Sequence, residues 1–311
     1  ASAGTSTSAL SAIGVNPSSS YSNTTEEWTG AGQPVGAWST GGSLNTARFR
    51  LMGAGIKTAA LAIGGYSTAY LALTESYNGT SWTEVNDLNT TRIEAGDNGS
   101  QTSALIYGGR TPGTTANTES WNGTSWTEVN NLNTSRQGLG GAGADNTSAL
   151  GFGGYTPGAG ARVQTESWNG TNWTEVNDLN NSSSTIGFGT QTAAIGSGTT
   201  TEQWNGTSWT EINDLNTPRS EGAAAGTVSD GLLFGGSPEP AGSALTEEWN
   251  GVSWTETSDL NTGRYGIGGA VQGSTSASLA FGGGSPPAPS KTAATEEWQK
   301  PSNVIKVITT S

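Results

Sequence analysis

A single phrase recurs along the whole chain. Thr-Glu-Ser-Trp-Asn-Gly-Thr-Ser-Trp-Thr-Glu-Val-Asn occupies Thr118 to Asn130, and related copies surround Trp28, Tyr77, Trp168, Trp204, Trp249 and Trp298. Its second aromatic position falls at Trp38, Trp82, Trp126, Trp173, Trp209 and Trp254, at intervals of 44, 44, 47, 36 and 45 residues. A period of this size means one supersecondary unit used repeatedly, each copy burying its apolar faces against its neighbours. All 12 Trp belong to the phrase, which leaves none for a special site.

Each unit divides into four short segments. The first is rich in Gly and Ala, as in Arg136 to Gly143. The second is apolar and ends in a Gly pair, as in Leu61-Ala62-Ile63-Gly64-Gly65 and Leu232-Leu233-Phe234-Gly235-Gly236. The third carries Thr-Glu-x-Trp, and the fourth runs from the second Trp to a Leu such as Leu88, Leu132 or Leu179. Runs of about five residues between Gly, Asn and Pro read as strands. Asn-Gly separates the third from the fourth at Asn78, Asn122, Asn169, Asn205 and Asn250, which is hairpin chemistry.

Four antiparallel strands in such a period describe a propeller blade. The expected fold is all-β, a seven-bladed β-propeller of four-stranded antiparallel blades in one domain, 1–311. The blades are read as 1–44, 45–88, 89–132, 133–179, 180–215, 216–260 and 261–311. The end repeats are atypical. The first has only Ala1 to Gly4 for an inner strand, a truncation consistent with a piece of a longer protein. The last carries Asn303-Val304-Ile305-Lys306-Val307-Ile308 where a second Trp strand is expected. The ring is therefore expected to close between the first and seventh blades.

Composition agrees with this architecture and excludes much chemistry. The 311 residues include 48 Gly and are only 32% hydrophobic, too little for an ordinary core but enough where inner strands are crowded and outer ones hold Trp. There is no His and no Cys, which removes Ser-His-Asp catalysis, imidazole and thiolate metal sites, and disulfides. The net charge of −13 comes without any Lys/Arg cluster, so neither nucleic acid nor an anionic membrane is an expected partner. No apolar run approaches the ~18 residues of a transmembrane helix. No enzyme activity and no cofactor are expected.

The inner strand following Arg, the apolar strand ending in Gly-Gly, the acidic-aromatic third strand and the Trp-led fourth together resemble the kelch repeat, over essentially the whole chain. The wording Trp-Asn-Gly-Thr-Ser-Trp-Thr-Glu-Val-Asn-Asp-Leu-Asn-Thr also resembles kelch-type repeat proteins of marine bacteriophages. That resemblance implies a virion structural or tail-fibre role. Copper radical oxidases of kelch type need His ligands and a Cys-linked Tyr, and this chain has neither residue. The Ser-x-Asp-x-Gly-x-x-Trp boxes of sialidase-type propellers are likewise missing, so fold and site must be argued separately.

Arg48, Arg92, Arg136, Arg219 and Arg264 recur ahead of the inner strand, and Glu75, Glu119, Glu166, Glu202 and Glu247 recur in the third. Repetition in so many blades points to a structural Arg–carboxylate pair rather than an anion site. Ser183 stands where the fifth repeat should have its Arg, so one Glu should lack that partner. Gly138 to Gly143 matches G-x-G-x-x-G, but a strand rather than a helix follows it. The Asn-x-Ser/Thr sequons coincide with the hairpin turns. Asp87, Asp178, Asp214 and Asp259 occur one per repeat, too dispersed for a calcium site.

The connection between the second and third strands varies most, and in the fifth repeat it nearly vanishes. These connections share one face with those from the fourth strand to the next first strand. Loops that differ on a constant scaffold are the usual seat of recognition. Tyr21, Tyr66, Tyr70, Arg110, Tyr155, Arg162 and Lys291 are the candidate contacts there, for a host glycan or another virion protein. The expected role is non-enzymatic attachment at an extracellular or virion surface. The alternative is a soluble kelch-type scaffold for protein–protein interaction.

Overall fold

The computed structural model describes residues 2–5, 8–15, 21–28, 36–182, 184–237, 242–285 and 290–301. The chain divides into two compact units, Gly36–Gln299 and the remainder, Ala1–Val35 with Lys300–Ser311. In the smaller unit Ser2–Thr5, Ser8–Val15 and Tyr21–Trp28 form a three-stranded antiparallel sheet. Its register pairs Ala9 with Trp28, the same offset that pairs Ala104 with Trp121 further along the chain. Residues 303–308, read as a closing strand, lie outside the described residues.

The larger unit is a β-propeller of four-stranded antiparallel blades. Five blades are contiguous: I (52–85), II (96–129), III (140–176), IV (184–211) and V (223–256). Blade VI is composite. Gly268–Gly269, Ala277–Phe281 and Thr295–Gln299 supply three strands, and Ala37–Thr40 from the other end of the unit supplies the outermost. Trp38 pairs with Trp298 across this seam. The seven expected blades are therefore six. The first and last repeats are each incomplete, and the Trp38 strand of one completes the sheet of the other.

Inner strands meet in sequence around an axis: Met52–Ile56, Gly96–Ser100, Gly140–Asp145, Ser184–Thr190, Ala223–Thr227, Gly268–Gly269 and back to Met52–Ile56. Crowding there dictates residue size. A Cβ added at Gly53 would strike the carbonyl oxygen of Gly269, one at Gly141 that of Asp97, and one at Gly187 that of Gly141. Each inner strand thus lies against the backbone of its predecessor.

Aromatic residues fill the wider outer part. Where a blade has two aromatic residues flanking its outer hairpin they pair across it, as Trp121 with Trp126 at 5.3 Å and Tyr77 with Trp82 at 4.8 Å. The second Trp then crosses to the preceding blade. Trp126 Nε1 donates to Thr74 Oγ1, Trp173 to Thr118, Trp209 to Thr165, Trp82 to Thr295 and Trp38 to Thr246, all at 3.0–3.1 Å. The same Trp packs on a second-strand aromatic of that blade, as Trp173 on Tyr107, Trp209 on Phe152 and Trp82 on Phe281. Blades are consequently joined by buried apolar area at each step, and by this hydrogen bond at five of the six.

The Asn-Gly turns have a specific construction. Gly123 adopts φ +90° while Asn122 Oδ1 accepts the N–H groups of Thr124 and Ser125. Only the Gly, not the Asn, takes the left-handed conformation.

Candidate binding cavity

The repeated Arg side chains are buried and paired within their own blades. Arg92 Nη2 and Arg136 Nη2 each lie 2.9 Å from Glu119 and Glu166, and Arg264 lies 2.7 Å from Glu296. Arg48 pairs with Glu75 and Arg219 with Glu247, and all five Arg side chains are 0% exposed. Burial pushes Arg48, Arg92, Arg136 and Arg264 down from the ordinary guanidinium range, and the facing carboxylates oppose that shift. The second oxygen of each Glu accepts from the backbone N–H and the side-chain amide of an Asn in the incoming loop, such as Asn89 on Glu119. Glu296 occupies the column of the other Glu residues and was not singled out among the candidates.

In three of these Arg residues Nη1 serves the connection between strands two and three. Arg92 Nη1 donates to Gly108 O and Asn117 O, Arg136 Nη1 to Gly153 O and Gln164 O, and Arg264 Nη1 to Gly282 O and Ala294 O. These are the carbonyls at which the connection leaves and re-enters the sheet. These three guanidinium groups each anchor a variable loop from beneath. Ser183, at the corresponding place in blade IV, lies outside the described residues. Glu202 there accepts from Asn180 N, Asn180 Nδ2 and Asn181 N.

Other repeated candidates are also structural. Asp87, Asp178, Asp214 and Asp259 accept the N–H of Thr74, Thr165, Thr201 and Thr246, joining the start of the third strand to the end of the fourth. The Oδ1 atoms of sequon residues Asn78, Asn122, Asn169 and Asn205 each accept two N–H groups of their own turn. The G-x-G-x-x-G segment runs into the inner strand Gly140–Asp145, with no helix to receive a phosphate.

The inner strands enclose a cavity of about 510 Å³ that opens on the face of the variable connections. Of the expected contacts, Arg110 and Tyr155 line it, and Tyr155 is exposed. Tyr66 and Tyr70 instead belong to an edge-to-face cluster beside the mouth, in which Phe49 meets Tyr66 at 5.7 Å and Tyr66 meets Tyr70 at 5.6 Å. Arg162 and Lys291 are half-buried on their loops and do not line the cavity. Tyr21 begins a strand of the smaller unit, and its side chain lies outside what is described.

Three further charged residues that line the cavity, Arg50, Glu94 and Glu221, come from the connections entering the inner strands. Arg50 reaches Glu94 at 2.9 Å and Glu221 at 3.2 Å, and Gln137 Nε2 donates to Glu94 at 3.1 Å. Arg50, Glu94 and Glu221 all have φ near +55°, as do Gly138 and Gly266. These five residues each stand two after a repeated Arg. They also form a chain of backbone bonds around the mouth, with Glu94 N donating to Arg50 O, Gly138 N to Glu94 O, Gly266 N to Glu221 O and Arg50 N to Gly266 O. Left-handed φ costs a non-Gly residue roughly 1–2 kcal/mol, so this rim holds charged side chains at some expense.

Deeper in the wall lies Asp97. The equivalent inner-strand positions are Gly53, Gly141, Gly187, Ala224 and Gly269, as their shared register to the second strands shows. Asp97 Oδ2 accepts Gly53 N–H at 2.6 Å, and burial pushes the carboxyl up to about 7. At the far end Gln272 obstructs the axis. Its N–H donates to Gly55 O and its Nε2 reaches Gly143 O at 2.6 Å, across to blade III. The cavity is thus a pit with one described mouth rather than an open tube. Aligning the repeats by their Arg would have isolated Asp97, five residues after Arg92 where other repeats carry Gly or Ala.

Among the described residues no group of three or more Asp or Glu could hold a metal ion, and no helix is long and apolar enough to cross a membrane. No protein-family model and no curated protein matches the sequence. Among solved structures the fold is similar to one titled "Structure of YjhT", with a TM-score of 0.67 over 81% of this chain and 95% of that one, at 11% identity. At that identity the likeness is one of fold, a β-propeller.

Proposed function

We propose that the chain is a non-enzymatic binding propeller of kelch type that engages its partner through the face bearing the variable connections. The observation carrying this reading is the cavity of about 510 Å³ opening on that face, lined by Arg110 and Tyr155 from the connections and by Arg50, Glu94 and Glu221 beneath them. The repeated Arg side chains, by contrast, are buried and paired with carboxylates of their own blades. A binding role is favoured over catalysis because the chain has no His or Cys and two of the cavity carboxylates are held by Arg50. The resemblance to phage repeat proteins supports an extracellular or virion-surface setting, with a host glycan or another virion protein as partner. A protein-interaction scaffold is the same use of the same face in another setting.

Capture of partners from host-cell surface extract and a glycan array, run on the native chain and on Tyr155→Ala with Arg110→Ala, tests this reading. Binding should fall at least tenfold in the double variant. Val252→Ser alters an exposed residue of the hairpin turn on the opposite face and should leave binding unchanged. Partner binding that ignores Tyr155 and Arg110 but is lost with Val252→Ser would overturn it.

A further inference from the structure

Five of the six equivalent positions of the channel wall carry Gly or Ala, and the sixth carries a carboxylate. Structural drift in a crowded wall tends towards small residues, as Gly53, Gly141 and Gly187 illustrate. Asp97 places a carboxyl among these small residues, on the wall of the cavity. Its bond to Gly53 N–H accommodates the side chain without neutralising it. No described cation forms an ion pair with it.

The rest of the cavity defines what could neutralise it. Arg50 already faces two carboxylates, Glu94 and Glu221, so it offers little to an anion. Arg110 sits at the rim, with Nε donating to Pro112 O of its own loop. Three carboxylates against these two cations leave the cavity acidic, within a chain of net charge −13. The wall also carries apolar side chains, Leu51, Met52, Leu139, Ile186 and Ile267, beside Ser182, Thr185 and Ser220. An occupant therefore needs a slender apolar stem and a cationic end. Oδ2 already accepts from Gly53, which favours a partner that needs only the other oxygen, as an ammonium does, over the two-point fork of a guanidinium.

From this geometry we infer that the axial cavity binds an alkylammonium group, with Asp97 as its counter-ion. The site deepens the loop-face reading above and rests on it. The ammonium belongs either to a lysine side chain of a protein partner or to a free alkylamine such as a short diamine; the chemistry at Asp97 is shared. The raised carboxyl supports the assignment, because burial holds it at about 7 and an arriving cation favours its ionised form. Groups facing it are Gly53 N–H from blade I, Tyr107 on the adjacent strand, and Arg50, Glu94 and Glu221 at the mouth.

Calorimetric titration of the full chain at pH 8 tests the site, with n-butylamine, Nα-acetyl-lysine methylamide, its Nε-acetylated analogue, 1,4-diaminobutane, 1-butanol and butyrate. The ammonium compounds should bind, and the three uncharged or anionic alkyl probes should not. Affinity should rise between pH 6 and 8. Asp97→Gly, which installs the residue of four sister blades, and Asp97→Asn should each weaken binding at least tenfold. A lysine derivative binding more tightly than butylamine assigns the ammonium to a protein; tighter 1,4-diaminobutane binding assigns it to a free amine. Equal affinity in Asp97→Gly, preference for butanol or butyrate, or no ammonium binding overturns the site. Partner capture that survives in Asp97→Gly while amine binding was never seen leaves the loop-face reading standing and removes only this one.

Discussion

Blades II and IV both depart from the repeat, and they do so in opposite ways. Blade IV loses groups: the connection between its second and third strands is the shortest, Ser183 replaces the Arg, and Ser197 stands at the position of Tyr107 and Phe152. Each loss has a local answer. With almost no loop to anchor there are fewer carbonyls for an Arg to serve, and Asn181 N–H joins Asn180 on Glu202. Phe188, on the inner strand, packs 6.2 Å from Trp254 in place of the missing second-strand aromatic. Blade II instead gains a carboxylate, and nothing in the described wall offers it a countercharge. A departure repaired by its surroundings reads as drift, and one left unrepaired in a cavity reads as function.

Removing an Arg from a blade that keeps its long connection should expose how far blade IV is compensated. Arg136→Ala leaves Glu166 buried without its cation, together with the carbonyls of Gly153 and Gln164, and should cost about 3–5 kcal/mol in urea unfolding. A loss below 1 kcal/mol would mean the clamp is dispensable everywhere. Glu202→Gln tests the repaired version. It gives up charge-assisted bonds from two N–H groups and an amide while leaving no cation stranded, and should cost about 2–3 kcal/mol, less than Arg136→Ala.

The unrepaired departure has a pH signature. The folded carboxyl of Asp97 lies near 7 against 3.8 for the free group, so the folded state retains a proton that the unfolded chain has released. Stability contributed by that proton is present at low pH and is lost as pH rises towards 7. From pH 5.5 to 8.5 this amounts to about 2 kcal/mol. The chain has no His, so no other side chain ordinarily titrates in that window. Asp97→Asn should flatten the profile of unfolding midpoints, and an unchanged slope would refute the assignment.

The smallest effect concerns the seam between blades IV and V. Trp254 Nε1 is buried without an acceptor, while Thr201 Oγ1, the counterpart of Thr74 and Thr118, is bonded to Ser197 Oγ at 3.1 Å. Ser197→Ala frees that hydroxyl and should raise stability by about 1 kcal/mol. Loss of stability instead would show that Ser197 holds the strand in place.

Much of this architecture was legible in the repeat. The strand order, the Gly-rich inner strands and the Trp-rich outer ones follow from residue size in a radial sheet. The Arg and Glu columns implied a paired structural role, and the burial of those side chains has the same origin. The blade count was not legible, because a repeat does not state which sheet its outermost strand joins. Trp38 and Trp298 stand at opposite ends of the larger unit and meet only when the ring closes. The cavity was half legible: Arg110 and Tyr155 lie on variable loops, where sequence directs attention. Arg50, Glu94 and Glu221 lie in short connections where the repeated Arg draws the attention, and their left-handed backbone is invisible in the residue names.

Sequence alone determined that this chain builds blades, since period, turn residues and the alternation of small with aromatic side chains are local properties of each unit. It also determined what chemistry is missing, because His and Cys are simply not there. Only the tertiary structure decided how many blades close the ring and what its axis contains. Both depend on contacts between residues far apart in the chain, where closure brings Trp38 to Trp298 and convergence of six inner strands turns one acidic residue into the carboxylate of a cavity.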